Sequence, residues 1–171
     1  NDQSAENLGL IPRFVADLFA NLEASYSEGG EGGEKTSFKM KVSFLEIYGE
    51  DVYDLIGVHS SAEQRTAGSL PVREDETGRV FVQGQNEGEV LDTESTLELL
   101  SAGTASRITA ATAMNAGSSR SHAVFTVCLE QTVQSVSSED DVHIMRSKLT
   151  FVDLAGSERI KKTGAEGQRL K

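Results

Sequence analysis

Two stretches hold most of the side chains whose types and spacing can do chemistry. The first is Leu149-Thr-Phe-Val-Asp-Leu-Ala-Gly-Ser-Glu158. Its apolar, partly β-branched run from Leu149 to Val152 predicts a short buried strand. The run ends in Asp153, and Gly156 follows after two residues. Ligands of open α/β sheets bind just past the carboxyl ends of such strands. A carboxylate there suits Mg²⁺, directly or through water, because hard cations take oxygen ligands and keep several waters. A glycine there lets a backbone N–H approach a phosphate oxygen with no Cβ in the way. Strand-Asp-x-x-Gly is thus the shape of a γ-phosphate sensor. The same residues also read as a plain strand end followed by a turn.

The second stretch is Asn115-Ala-Gly-Ser-Ser-Arg-Ser-His122, directly before the apolar strand that begins at Ala123. Hydroxyls, an amide, a guanidinium and an imidazole crowd together here, and any one of the serines alone reads as part of a polar loop capping a strand. The joint pattern is more specific. Asn-x-x-Ser-Ser-Arg-Ser-His followed downstream by Asp-Leu-Ala-Gly-Ser-Glu resembles the two nucleotide-sensing switch motifs of the kinesin motor domain, at every fixed position. Two further stretches carry the same resemblance. Gly9-Leu-Ile-Pro-Arg13 is similar to the Gly-x-Ile-Pro-Arg helix of kinesins. Val42-Ser-Phe-Leu-Glu-Ile-Tyr-Gly-Glu-Asp-Val-Tyr-Asp-Leu-Ile56 resembles their strand-and-helix signature, with Gly49 at a turn position where the family commonly has Asn. Arg159 to Lys171 is similar in wording to chromokinesin-type motors.

The elements that must position these residues follow from periodicity. Ile11, Phe14, Val15, Leu18, Phe19 and Leu22 keep a helical period over 8–22, with Pro12 in the first turn. Phe38 to Tyr48 alternates and then becomes nearly continuously apolar, which predicts a strand buried on both faces in its later half. Leu70 to Val90 breaks into short strand fragments at Gly78, Gly84 and Gly88; in kinesins the matching region is a small hairpin that touches tubulin. Thr93 to Gly103 predicts a helix, with Asp92 as N-cap, Ser95-x-x-Glu98 as a capping box and Gly103 as its end. The strand over 123–132 and a connection over 133–146 lead back to the sensor strand.

Three tempting readings fail on physical grounds. Gly30-Glu-Gly-Gly-Glu-Lys-Thr36 looks like a phosphate loop, but Glu34 separates the last Gly from Lys35. Its neighbours Glu28 and Glu31 would repel phosphate, and it joins a helix to a strand rather than a strand to a helix. A Ser119/His122/Asp153 hydrolase lacks a Gly-x-Ser-x-Gly elbow. The single cysteine, Cys128, supports neither a disulfide framework nor a Cys-based metal site, and the three histidines lack ligand spacing.

The 171 residues are enough for one domain with a sizeable core. Net charge is −11, but residues 146–171 carry seven basic and three acidic residues, leaving the rest strongly acidic. That balance argues against direct nucleic-acid binding. No apolar run of about 18 residues exists to span a membrane, and no heptad run is present.

The resemblance implies an α/β, kinesin-type P-loop NTPase fold with a central mixed sheet flanked by helices. Residues 1–171 would form one partial motor domain, its central portion, with the phosphate-loop segment upstream and the C-terminal helices downstream. It implies a motor ATPase that couples ATP hydrolysis to movement along microtubules in the cytoplasm and cytoskeleton, with ATP and Mg²⁺ bound. Tubulin would be the partner, and any coiled-coil oligomerisation would lie outside this stretch. Without a phosphate loop, the stretch alone is expected to be inactive. Ser119 would reach Mg²⁺, and Ser118 would place the attacking water. Asp153 would hold Mg²⁺ through water, and Gly156 N–H would meet the γ-phosphate. Asn115 would lie near that phosphate, His122 would support the switch, and Arg120 and Glu158 would pair to close the two switches. The alternative is a non-motile kinesin-like binding or scaffold module without ATPase activity.

Overall fold

The computed structural model describes residues 9–27, 35–57, 68–113, 121–134 and 142–156. Two helices, α1 (Leu10–Ser27) and α2 (Thr93–Ala113), accompany seven strands: β1 (Lys35–Tyr48), β2 (Asp51–Asp54), β3 (Val72–Glu74), β4 (Val80–Val82), β5 (Gly88–Val90), β6 (Ser121–Gln134) and β7 (Val142–Asp153). β1 is central. One of its edges carries β6 along its whole length, and the other carries β2 and β5 end to end. β7 adds to the far side of β6, and β3 and β4 form a separate hairpin. The expected α/β class with helices on a central sheet is what the chain adopts. Every pairing among the described strands is antiparallel.

The core forms because one face of the sheet is apolar at alternate positions. Met40, Val42 and Phe44 of β1, Phe125 and Val127 of β6 and Val90 of β5 are buried with Val15, Phe19 and Leu22 of α1. Phe44, Phe125 and Phe151 stand opposite one another across β1, β6 and β7. Phe44 meets Phe125 edge-on at 5.5 Å, and Phe14 of α1 meets Phe151 at 5.3 Å. This aromatic row pins the register, because a slip by one residue would turn the whole set to the other face.

Several sequence expectations are corrected. α2 does not end at Gly103 but runs through it to Ala113. The glycine is there for close approach: a methyl at 103 would run into the Phe44 ring, with Leu55 Cβ 3.4 Å away. The capping box of α2 is formed by Asp92 and Ser95 rather than Ser95 and Glu98. Ser95 N donates to Asp92 Oδ1 at 2.7 Å, and Asp92 N donates to Ser95 Oγ at 3.3 Å. The Ser95 backbone N–H, and after it the Ser95 hydroxyl, donate to the Asp92 carboxylate and hold it below its ordinary pKa. The chain after β1 turns at Gly49 (φ 62°) into β2 rather than into a helix. Residues 149–152 do form a strand, but it is the outermost of the described sheet, so Leu149 and Val152 are exposed rather than buried. Lys35 and Thr36 open β1, which agrees with rejecting a phosphate loop there.

Candidate functional site

The site lies where β6 begins and β7 ends. β6 and β7 are antiparallel, with Ala123 opposite Asp153. The chain enters β6 at Ser121 and leaves β7 at Asp153, so the two chemistry-bearing stretches of the sequence converge on one end of the sheet. Glu46 stands opposite Ala123 on the other side, so Glu46, Ala123 and Asp153 form a row across three strands. That row lies two residues beyond the Phe44–Phe125–Phe151 row and therefore on the same, helix-covered face.

Arg107 of α2 reaches into this row. Its Nη1 donates to Asp153 Oδ2 at 2.9 Å, and its Nη2 donates to the Ser121 carbonyl at 3.1 Å. Nε is buried without a hydrogen bond, 3.9 Å from Glu46 Oε1. The guanidinium side chain is 15% exposed and lies between a buried Glu46 and an Asp153 carboxylate that is 71% exposed. Ser121 is fully buried. One cation thus ties the first residue of β6 to the last residue of β7.

Sequence reasoning missed Arg107, and the reason is specific. Thr96, Leu100, Gly103 and Arg107 follow the helical spacing that lines one face. Reading Gly103 as a helix stop removed Arg107 from that stripe. A helix continued by one more turn and a half would have revealed an arginine on a buried face, which needs a carboxylate partner. Glu46 is that buried acid.

The opposite face has a second link. By alternation His122 points away from the Arg107 side, and its Nδ1 accepts a hydrogen bond from Ala155 N at 3.0 Å. This geometry also opposes a Ser/His/Asp triad, since His122 is engaged by a backbone amide and Asp153 by Arg107.

Of the residues singled out for chemistry, Asp153 and Gly156 lie within the described residues, side by side at the end of β7. Asn115, Ser118, Ser119, Arg120 and Glu158 lie outside them. Two observations bear on a magnesium nucleotide. Asp153 is a largely exposed carboxylate with only one oxygen taken by Arg107. Gly156 is exposed, and its N–H has no hydrogen-bond partner among the described residues. A carboxylate and a bare backbone donor, three residues apart at a strand end, fit a hard cation and a phosphate oxygen. Among the described residues no group of three or more His, Cys, Asp and Glu is gathered to hold a metal unaided.

An apolar hollow of about 630 Å³ opens beside Arg107 and Asp153, between the start of α1 and the sheet. Leu10, Pro12, Leu100 and Phe151 line it. Among the described residues no helix is long and apolar enough to cross a membrane.

Comparison with known proteins gives a consistent result. The family model described as the kinesin motor domain matches residues 1–171. The human kinesin-like protein KIF13A is 43% identical over 167 residues, covering 98% of this chain and 9% of its own length. The Xenopus laevis chromosome-associated kinesin KIF4 is 41% identical over 171 residues, covering 100% of this chain and 13% of its own. A solved structure of a fast kinesin superposes with a TM-score of 0.72 at 34% identity, covering 95% of this chain and 40% of that one. The chain thus spans a small part of the length of these relatives and less than half of the solved motor.

Proposed function

The chain belongs to the kinesin motor-domain family, and on that premise we propose that it forms the γ-phosphate-sensing part of a microtubule-stimulated ATPase. The observation that carries this reading is the convergence of the Ser121 end of β6 and the Asp153–Gly156 end of β7, joined through Arg107. Two strand ends that lie side by side let the residues next to them both touch the terminal phosphate of a single nucleotide. Their positions then depend on whether that phosphate is present.

The roles are those that the kinesin resemblance implies. Asp153 would hold Mg²⁺ through water, and Ser119 would reach it directly. Bound Mg²⁺ would offset the negative charge on the phosphates. Gly156 would donate its N–H to the γ-phosphate, with Asn115 nearby. Ser118 would orient the water that attacks the γ-phosphorus, releasing ADP and inorganic phosphate. Arg120 and Glu158 would pair when both loops close. Little covalent chemistry is asked of the protein, so positioning and charge stabilisation supply most of the rate.

The geometry adds one consequence. Arg107 occupies an oxygen of the same carboxylate that would serve the cation. The other oxygen stays open to a water-held cation while Arg107 keeps its bond, and the buried Glu46 lies 3.9 Å from the same guanidinium. Tubulin would be the macromolecular partner, and movement along microtubules the output.

Gly156→Ala in the complete protein tests the reading. The methyl crowds the one backbone donor aimed at the phosphate. Loss of a preorganised donor costs roughly 10²–10³ in rate. Nucleotide should still bind, because most phosphate contacts lie elsewhere. Unchanged microtubule-stimulated phosphate release would remove Gly156 from the mechanism.

A further inference from the structure

We infer that His122 is a positioning residue: its Nδ1 accepts from the Ala155 N–H and so restrains the turn that carries the adjacent Gly156 N–H, tying that turn to the start of β6. This rests on the reading of Gly156 as a phosphate donor.

The argument starts from the end of β7. Beyond Asp153 the ladder to β6 stops, so Leu154, Ala155 and Gly156 have no strand partner. Leu154 is 69% exposed and gives this turn no buried anchor. Among the described residues the only hydrogen bond holding the turn is Ala155 N to His122 Nδ1, at 3.0 Å and partly buried. A backbone amide can only donate, so Nδ1 must present its lone pair and the imidazole carries its proton on Nε2. Gly156 follows immediately, and its N–H has no partner among the described residues. Fixing the Ala155 amide fixes the peptide plane before it and leaves only the φ and ψ of Ala155 between that plane and the Gly156 donor.

His122 is itself the second residue of β6, immediately after Ser121, whose carbonyl Arg107 holds. Any shift of Ser121 at this strand end would move the imidazole and, with it, the Ala155 amide. Arg107 works on one face of the sheet and His122 on the other. Arg107 holds the cation-binding carboxylate, whereas His122 holds the phosphate-binding turn.

A merely structural imidazole and a positioning one differ in what they predict. Asn places an acceptor Oδ1 close to where His Nδ1 lies, whereas Phe keeps the ring and removes the acceptor. In the complete protein, affinities for ADP and for a non-hydrolysable ATP analogue are compared in wild type, H122F and H122N, alongside hydrogen exchange of the Ala155 amide. One lost side-chain hydrogen bond of about 1 kcal/mol corresponds to roughly fivefold. H122F should weaken the triphosphate analogue by roughly that factor, leave ADP within about twofold and deprotect Ala155. H122N should restore both readouts. Equal weakening of both nucleotides in H122F, or an H122N as impaired as H122F, would overturn the positioning role. A wild type that binds no nucleoside triphosphate would overturn the nucleotide reading and the sensing role together, and Ala155 protection would then report the clasp alone.

Discussion

Replacing Arg107 by Met keeps most of the side-chain stem and removes the charge that links three groups. Their contributions differ because their exposures differ. Asp153 is 71% exposed, so losing that ion pair costs about 0–1 kcal/mol. The Ser121 carbonyl sits in a fully buried residue and loses a charge-assisted donor, a cost of about 1–3 kcal/mol. Glu46 is 2% exposed, but its oxygen is 3.9 Å from Nε and it has a further interaction of its own. Its share therefore falls below the roughly 3–5 kcal/mol of a broken buried pair. About 3 kcal/mol in all is expected for R107M, against less than about 1 kcal/mol for D153N, which disturbs only the exposed arm. The double variant E46Q/R107M should be no less stable than R107M, since a neutral amide costs less to bury than a carboxylate. Denaturation of the complete protein, read by hydrogen exchange in peptides covering Ser121–Gln134, measures all three. An R107M loss below about 1 kcal/mol, or a D153N loss equal to it, would refute the reasoning that burial sets the order.

Gly103→Ala should destabilise by about 1–3 kcal/mol through overpacking against Phe44, although Ala is the better helix former; a stabilised variant in a melting experiment would show that α2 can shift. Asp92 has a folded pKa below its ordinary value, so its cap contributes fully above the unfolded carboxylate pKa and is lost as pH falls through the folded one. Exchange protection at the start of α2 should accordingly decline in acid below about pH 4 in wild type and be independent of pH there in D92N. Arg120→Ala and Glu158→Ala should each cut ATP turnover severely while sparing nucleotide binding, and the double variant should be little worse than either; small additive losses would mean that the two do not act as a pair.

Much of the scaffold was legible because it is written in periodicity. The helical spacing of Ile11 to Leu22 placed α1, and Val15, Phe19 and Leu22 are the side chains it buries. The continuous burial of Val42 to Glu46 follows from an apolar stretch flanked by strands and covered by helices. Where prediction failed, a local rule met a tertiary demand. Gly103 ordinarily reads as a helix end, but here only a residue without Cβ fits over Phe44. Gly49 and Glu50 make a two-residue turn into β2, because pairing with β1 outweighs the helical reading of that signature.

What the amino-acid sequence determined by itself is the chemistry on offer: an Asp and a Gly spaced for a cation and a phosphate, and a crowded Ser-Ser-Arg-Ser-His run before an apolar strand. Those are properties of residue type and spacing, and they survive any error in element boundaries. What only the tertiary structure decided is which partners meet. Arg107 lies 46 residues from Asp153, and His122 lies 33 residues from Ala155. No local pattern couples such distances. They close because the phenylalanine row sets the β1–β6–β7 register, which puts Glu46, Ala123 and Asp153 on the face that α2 covers and leaves His122 on the other.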